Sequence, residues 1–236
     1  METTERDGDA PARWYPLPEY ADWMAAVAIA LGGIAFAAIG AVLSATVDRE
    51  LLAEGIESGA VTVDIGRELT QAESISLVVE VAFWSGIGLA VTGIGLVLFA
   101  AGYAVSRHRT HQRTPAGESA GSYRAYAVMG AVVTTVFSFI PFSHVLGGGV
   151  AGYLEHHGTG RETSVGAFSG LLSVAPALSV LVFVAVGVAN GFAAAGVDEL
   201  VVPGLAVMVL VALFSVAYAV GVSAVGGFVG GRIADE

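Results

Sequence analysis

Five stretches of the chain, residues 23–47, 81–106, 125–154, 163–197 and 200–231, contain no Asp, Glu, Lys or Arg, and each holds between 25 and 35 residues. A helix crossing roughly 30 Å of hydrocarbon needs about 20 apolar residues, so every block is long enough to span a bilayer. The pattern predicts an all-α, polytopic membrane bundle with five or six transmembrane helices. The count turns on the third block. As one straight helix its 30 residues would measure about 45 Å. Pro141 lies near its middle, where proline removes a backbone donor and clashes with the preceding turn. Phe142-Ser143-His144 reads as a helix restart with Ser143 as N-cap. A hairpin of two short helices, roughly 125–140 and 143–154, is therefore expected in preference to a single span.

The polar segments between the blocks set an expected orientation. The segment 107–124 holds Arg107, Arg109, Arg113 and Arg124 against one acid, Glu118, with His108 and His111 among them. Positive charge marks cytoplasmic loops, so this basic loop and, two spans earlier, the N-terminus are expected inside, with the segment 48–76 outside. That outer segment carries Asp48, Glu50, Glu54, Glu57, Asp64, Glu68 and Glu73 against Arg49 and Arg67. A short amphipathic helix is expected near 49–57 and an extended piece at 60–65. The acids lack the alternating spacing and central glycine of an EF-hand loop, so the segment reads as a solvated acidic cap rather than a calcium site. With a turn at Pro141, Arg161 and Arg232 fall inside while Asp198 and Glu199 fall outside; a single span reverses these sides.

Residues 1–22 carry six acids and only Arg6 and Arg13, and so lack the basic start and apolar core of a signal peptide. They read as a polar tail kept from helix by Pro11, Pro16 and Pro18. The tail leads into an interfacial anchor of Trp14, Tyr15, Tyr20 and Trp23. The expected organisation is thus a tail (1–22), a two-helix membrane hairpin (23–106), a basic loop (107–124) and a glycine-rich membrane domain (125–236).

Composition narrows the function classes. A mean hydropathy of +0.75 with 13% charged residues does not suit a soluble domain, where about 25% is usual. The absence of cysteine removes disulfides, thiolate chemistry and Cys-ligated zinc. All ten basic residues are Arg, against 21 acids, for a net charge of −11, which argues against nucleic acid as a partner. An acidic, Lys-free chain rich in Ala, Val and Gly resembles proteins of salt-loving archaea, in which high salt screens the self-repulsion of acidic surfaces.

The 32 glycines are patterned. Segments 145–154 and 224–233 align without gaps as GGxVxGx followed by Leu or Ile, which hints at a duplicated hairpin whose helices end at the same membrane face. Gly148/Gly152, Gly166/Gly170, Gly226/Gly230 and Gly227/Gly231 stand four apart, so each pair opens one helix face to a neighbouring backbone. In the second block Gly86/Gly93 and Gly88/Gly95/Gly102 repeat at seven. Tight packing within one protomer is the plain reading; a homo-oligomer seam or a lined pathway are the sharper ones. The runs PFSHVLGGGVAGYL (141–154) and GRETSVGAFSGLLSVAP (160–176), followed by the glycine-rich terminal block, resemble a family of uncharacterised haloarchaeal membrane proteins over about 120–236. His144 departs from that family's pattern, in which a second proline is expected. The resemblance implies a membrane location and a helical fold, and no residue-level chemistry.

Candidate chemistry is sparse. Glu155-His156-His157, with Arg161 and Glu162 behind, offers metal-ligand types. Adjacent histidines diverge on a helix, however, and no second ligand pair follows, so a hydrophilic loop is the plainer reading. Gly166-Ala-Phe-Ser169-Gly170 has one residue too many for the Gly-x-Ser-Gly nucleophile of rhomboid-type proteases, and no histidine follows His157 to act as base. Glu80 and His144 are weak functional candidates, because an ionisable group in hydrocarbon costs at least a few kcal/mol. No phosphate loop or dinucleotide fingerprint occurs. No enzyme, metal site or cofactor is expected. The bilayer is the expected partner, together with a second copy or another membrane protein. A structural or assembly protein is the leading expectation. A small transporter or channel with broken helices is the alternative, its path lined by polar side chains among Ser85, Thr92, Thr134, Thr135, Ser138, Ser143, Ser169, Ser173, Ser179, Asn190, Ser215 and Ser223.

Overall fold

The computed structural model describes residues 18–60, 69–114, 122–155 and 160–234. These residues form helices α1 (Glu19–Thr46), α2 (Arg49–Glu57), α3 (Gln71–Arg113), α4 (Tyr123–Val136), α5 (Ser143–Glu155), α6 (Glu162–Ala194) and α7 (Val201–Ala234), with a single 3-10 turn at Asp198–Leu200. No strand occurs among the described residues. Local chemistry sets the starts. Pro18 stands in extended conformation ahead of α1. The Asp48 side chain accepts from the Glu50 N–H at the head of α2, Thr70 and Glu73 close a reciprocal capping box on α3, and Ser122 caps α4.

Among the described residues four helical segments are long and apolar enough to cross a membrane: Glu19–Thr46, Gln71–Arg113, Glu162–Ala194 and Asp198–Ala234. The third hydrophobic block is broken. α4 and α5 have 14 and 13 residues, or about 20 Å each, too short to cross singly. The break begins at Phe137, four residues before Pro141, because the proline ring collides with the carbonyl of residue i−4 and ends the helix there. Phe142 takes a φ of 65° at the reversal. Ser143 lies inside the first turn of α5 and is not its cap.

Other boundaries also move. The basic segment expected as a loop from 107 is helical as far as Arg113, since Arg, His and Gln are adequate helix formers and a charge marks the membrane edge, not the helix end. The tail yields four residues, 19–22, to α1. The short helix at 49–57 forms with those limits; the extended piece expected at 60–65 falls almost wholly outside the described residues.

The helices are arranged as a chain of neighbours. α1 lies antiparallel on α3, with Gly33 opposite Gly93 and Gly40 opposite Gly86. The other side of α3 meets α6 antiparallel: a Cβ on Gly88 would come 2.7 Å from the Phe183 Cβ, and one on Gly191 would come 2.7 Å from Leu77 Cδ1. The Thr92 hydroxyl donates to Ser179 Oγ at 2.9 Å across this seam. α7 runs antiparallel to α6, and α5 lies parallel to α7, as the pairs Gly148–Ser223 and Gly152–Gly227 show. α4 returns antiparallel along α5 and packs on α6 through Tyr126, Ala127, Ala151 and Val165.

The N-terminus of α1, the C-termini of α3, α5 and α7, and the N-termini of α4 and α6 therefore share one end of the bundle. We call it the arginine end. The α4–α5 turn points away from it but stops short. His144, one residue into α5, meets the Tyr218 ring edge-on at 5.9 Å, and Tyr218 lies halfway along α7, about 25 Å from either helix end.

Candidate functional site

The most heavily buried charges lie at the arginine end, between α1 and α3. Asp22 is 2% exposed and accepts three hydrogen bonds from α3. Tyr103 OH donates to Oδ1 at 2.6 Å, and Arg107 Nε and His111 Nε2 reach Oδ2 at 2.9 and 2.8 Å. Positions 103, 107 and 111 stand at i, i+4 and i+8, so one face of α3 delivers all three side chains. Arg107 is also buried, and its Nη2 has no hydrogen-bond partner among the described residues. A half-exposed outer layer flanks the pair: His108 Nδ1 lies 2.9 Å from Glu19 Oε1, and Gln112 Nε2 lies 2.9 Å from His108 Nε2. One neutral tautomer satisfies both contacts, with Nδ1–H donating to Glu19 and Nε2 accepting from Gln112. Chemically the cluster can clamp two helices through one buried hydrogen-bonded network. In the sequence Arg107 stands out only as one of a basic run, and Asp22 only as one of six acids in the tail. The available signal was positional: Asp22 directly precedes the first uncharged block and Arg107 directly follows the second, so an antiparallel pair brings them together.

The eight glycines singled out from sequence lie where α5, α6 and α7 meet. A Cβ on Gly148 would collide with the Ser223 carbonyl, on Gly152 with that of Gly227, on Gly226 with that of Val145 and on Gly230 with that of Gly149. Gly166 faces Ser223 and Gly227, Gly170 faces Ala219, and Gly227 and Gly231 both face Glu162. α7 thus turns one glycine pair toward α5 and the other toward α6. The plain reading, close backbone approach within one protomer, describes these contacts. Of the second-block glycines, Gly86 and Gly93 meet α1 and Gly88 meets α6, while Gly95 and Gly102 have no atom within 4 Å of a built Cβ.

Buried hydroxyls accompany the junction. Ser223 Oγ donates to the His144 carbonyl at 3.0 Å, whereas Thr134 Oγ1 and Ser169 Oγ are buried without a partner among the described residues. Ser169, the serine of the near-miss nucleophile motif, is packed against Gly130 of α4. At the hairpin tip Phe137, Phe139, Ile140 and Phe142 are exposed, Phe139 by 77%, around Pro141. Glu80 is half-buried, its carbonyl 3.0 Å from a Cβ built on Gly187. Arg109, Arg113 and Arg124 are exposed and do not join the Asp22 cluster. Arg161 lies over the Tyr123 ring at 4.6 Å, with its Nε 3.9 Å from Glu155 Oε1. His156 and His157 lie outside the described residues, among which no group of three or more His, Asp or Glu side chains is placed to hold a metal ion.

A comparison with family profiles bears on the half of the chain that builds this junction. Residues 124–233 match a family of unknown function, DUF5518. The match begins at Arg124 and ends one residue after Arg232, so it takes in α5, α6 and almost all of α4 and α7 while leaving out α1–α3 and the Asp22 cluster. No curated protein and no solved structure matches the chain. Long apolar helices together with a family of unknown function describe a membrane protein whose activity is undefined.

Proposed function

We propose that this chain is a non-enzymatic membrane assembly protein that acts by associating with other membrane helices, in the first instance with a second copy of itself. The observation that carries this reading is the aromatic tip of the α4–α5 hairpin. Non-helical backbone at membrane depth is tolerated only where protein covers it or water lines it. The Phe137, Phe139, Ile140 and Phe142 side chains make a poor water-filled lining, so a covering protein is the better fit. A two-fold pair would bring the same patch of both copies together. In this reading α4 and α5 add a hairpin to the four long helices, giving six membrane helices, and the arginine end faces the cytoplasm.

The chain has no cysteine, which makes the test direct. Phe139→Cys in reconstituted vesicles is expected to form a disulfide-linked dimer on mild oxidation, and Val202→Cys, equally exposed at the far end of α7, is not. A folded Phe139→Cys variant that stays monomeric rejects the tip as a contact between copies. A transporter or channel is the second reading, favoured by the unpartnered Thr134 and Ser169 hydroxyls beside a broken helix. Solute or ion flux in proteoliposomes that Ser169→Ala abolishes would favour it over assembly.

A further inference from the structure

We propose that the outward face of the C-terminal half of α3 binds an anionic phospholipid of the leaflet at the arginine end, with Arg109 and Arg113 taking the headgroup phosphate and a track through Gly102 and Gly95 receiving an acyl chain. α3 is two-faced here. Tyr103, Arg107 and His111 turn toward Asp22. The other face carries Arg109 and Arg113, exposed and four residues apart, with no ion pair to either among the described residues. Side chains at that spacing are neighbours on the helix surface, and two guanidinium groups side by side suit the planar, multidentate recognition of a phosphate.

The position along the helix points to a lipid. Gly95, Gly102 and Arg109 fall at seven-residue intervals, hence nearly on one line of the helix. Both glycines are open, with no atom within 4 Å of a built Cβ, and exposed Leu98 and Val105 border the line. From Arg109 to Gly95 the line runs about 21 Å, enough for a chain crossing one leaflet of a core that is about 30 Å thick. Trp23 and Tyr20, exposed on neighbouring α1, mark the headgroup level. A free phosphate would use the arginines but not the apolar track. The helix dipole opposes an anion near the last turn, so the guanidinium groups and not the backbone are the determinant. Against a chain of net charge −11, this face is a local reversal of sign that complements an acidic headgroup.

The test uses the purified chain and native mass spectrometry with phosphatidylglycerol or phosphatidylcholine of identical acyl chains. Phosphatidylglycerol is expected to be retained in preference. Each arginine near an anionic lipid contributes about a fivefold preference, so Arg109→Gln should lower retention about fivefold and the Arg109→Gln/Arg113→Gln pair about thirtyfold. Arg49→Gln, in α2 at the opposite end, should change nothing. Gly102→Leu keeps the charge and fills the track, so it too should reduce retention; charge attraction alone would leave it unaltered. Equal retention of the two lipids, a folded double variant that holds phosphatidylglycerol as the parent does, an unaffected Gly102→Leu variant, or displacement by inorganic phosphate would each overturn the proposal.

Discussion

Asp22 and Arg107 form a pair whose members are 2% and 7% exposed in their side chains, and burial of that degree decides how it behaves when one partner is lost. Removing one member of a buried ion pair strands the other charge and costs about 3–5 kcal/mol, whereas removing both can be nearly neutral. Asp22→Ala is therefore expected to lower stability in detergent by that amount, and Asp22→Ala/Arg107→Met to recover most of it, as read by denaturant unfolding. Additive losses in the double variant would mean that the two residues do not act as a pair. The outer Glu19–His108 contact, about half exposed on both sides, should contribute little, because water screens an exposed pair. At this scale the sequence was only partly readable. The arginine was conspicuous as part of a basic run. Asp22 was hidden as the last of six acids in an acidic tail, because burial is a property of the helix pair and not of either segment.

Helices α5, α6 and α7 approach through glycine faces, and their packing is set by backbone atoms that cannot move aside. Gly148→Ala places a methyl group against the Ser223 carbonyl and is expected to cost about 1–3 kcal/mol through overpacking. Gly221→Ala on α7, where a Cβ meets nothing within 4 Å, should stay within about 1 kcal/mol of the parent and on the stabilising side, since alanine favours helix. Equal unfolding of the two variants would show that the junction is not close-packed. The elements themselves were largely legible, because uncharged runs this long leave few alternatives to helix in lipid. Their limits were less so. The third block ends its first helix at Val136, where the clash with Pro141 takes effect, rather than at the proline. α3 outruns its apolar stretch by seven residues, to Arg113, because hydropathy reports the edge of the membrane and says nothing of where a helix stops.

Among the described residues, α1 and α3 are held by facing glycines and by the Asp22 cluster, while α4–α7 are held by glycine faces, and the two parts join where α3 meets α6. The DUF5518 match covers the second part, the same half that sequence motifs had marked as resembling a family. The path of the hairpin fixes the sides of everything after it: its return to the arginine end follows from the α4–α5 and α5–α7 contacts, whereas the side which that end faces rests on charge placement. Single cysteines at Ser58, Gly117, Gly158 and Asp198 of this cysteine-free chain, probed in intact cells with a thiol reagent that cannot cross membranes, test the arrangement most directly. A hairpin returning to the arginine end, with that end in the cytoplasm, predicts labelling at 58 and 198 and protection at 117 and 158. Labelling at 158 with protection at 198 would contradict the hairpin, and labelling at 117 would contradict the orientation.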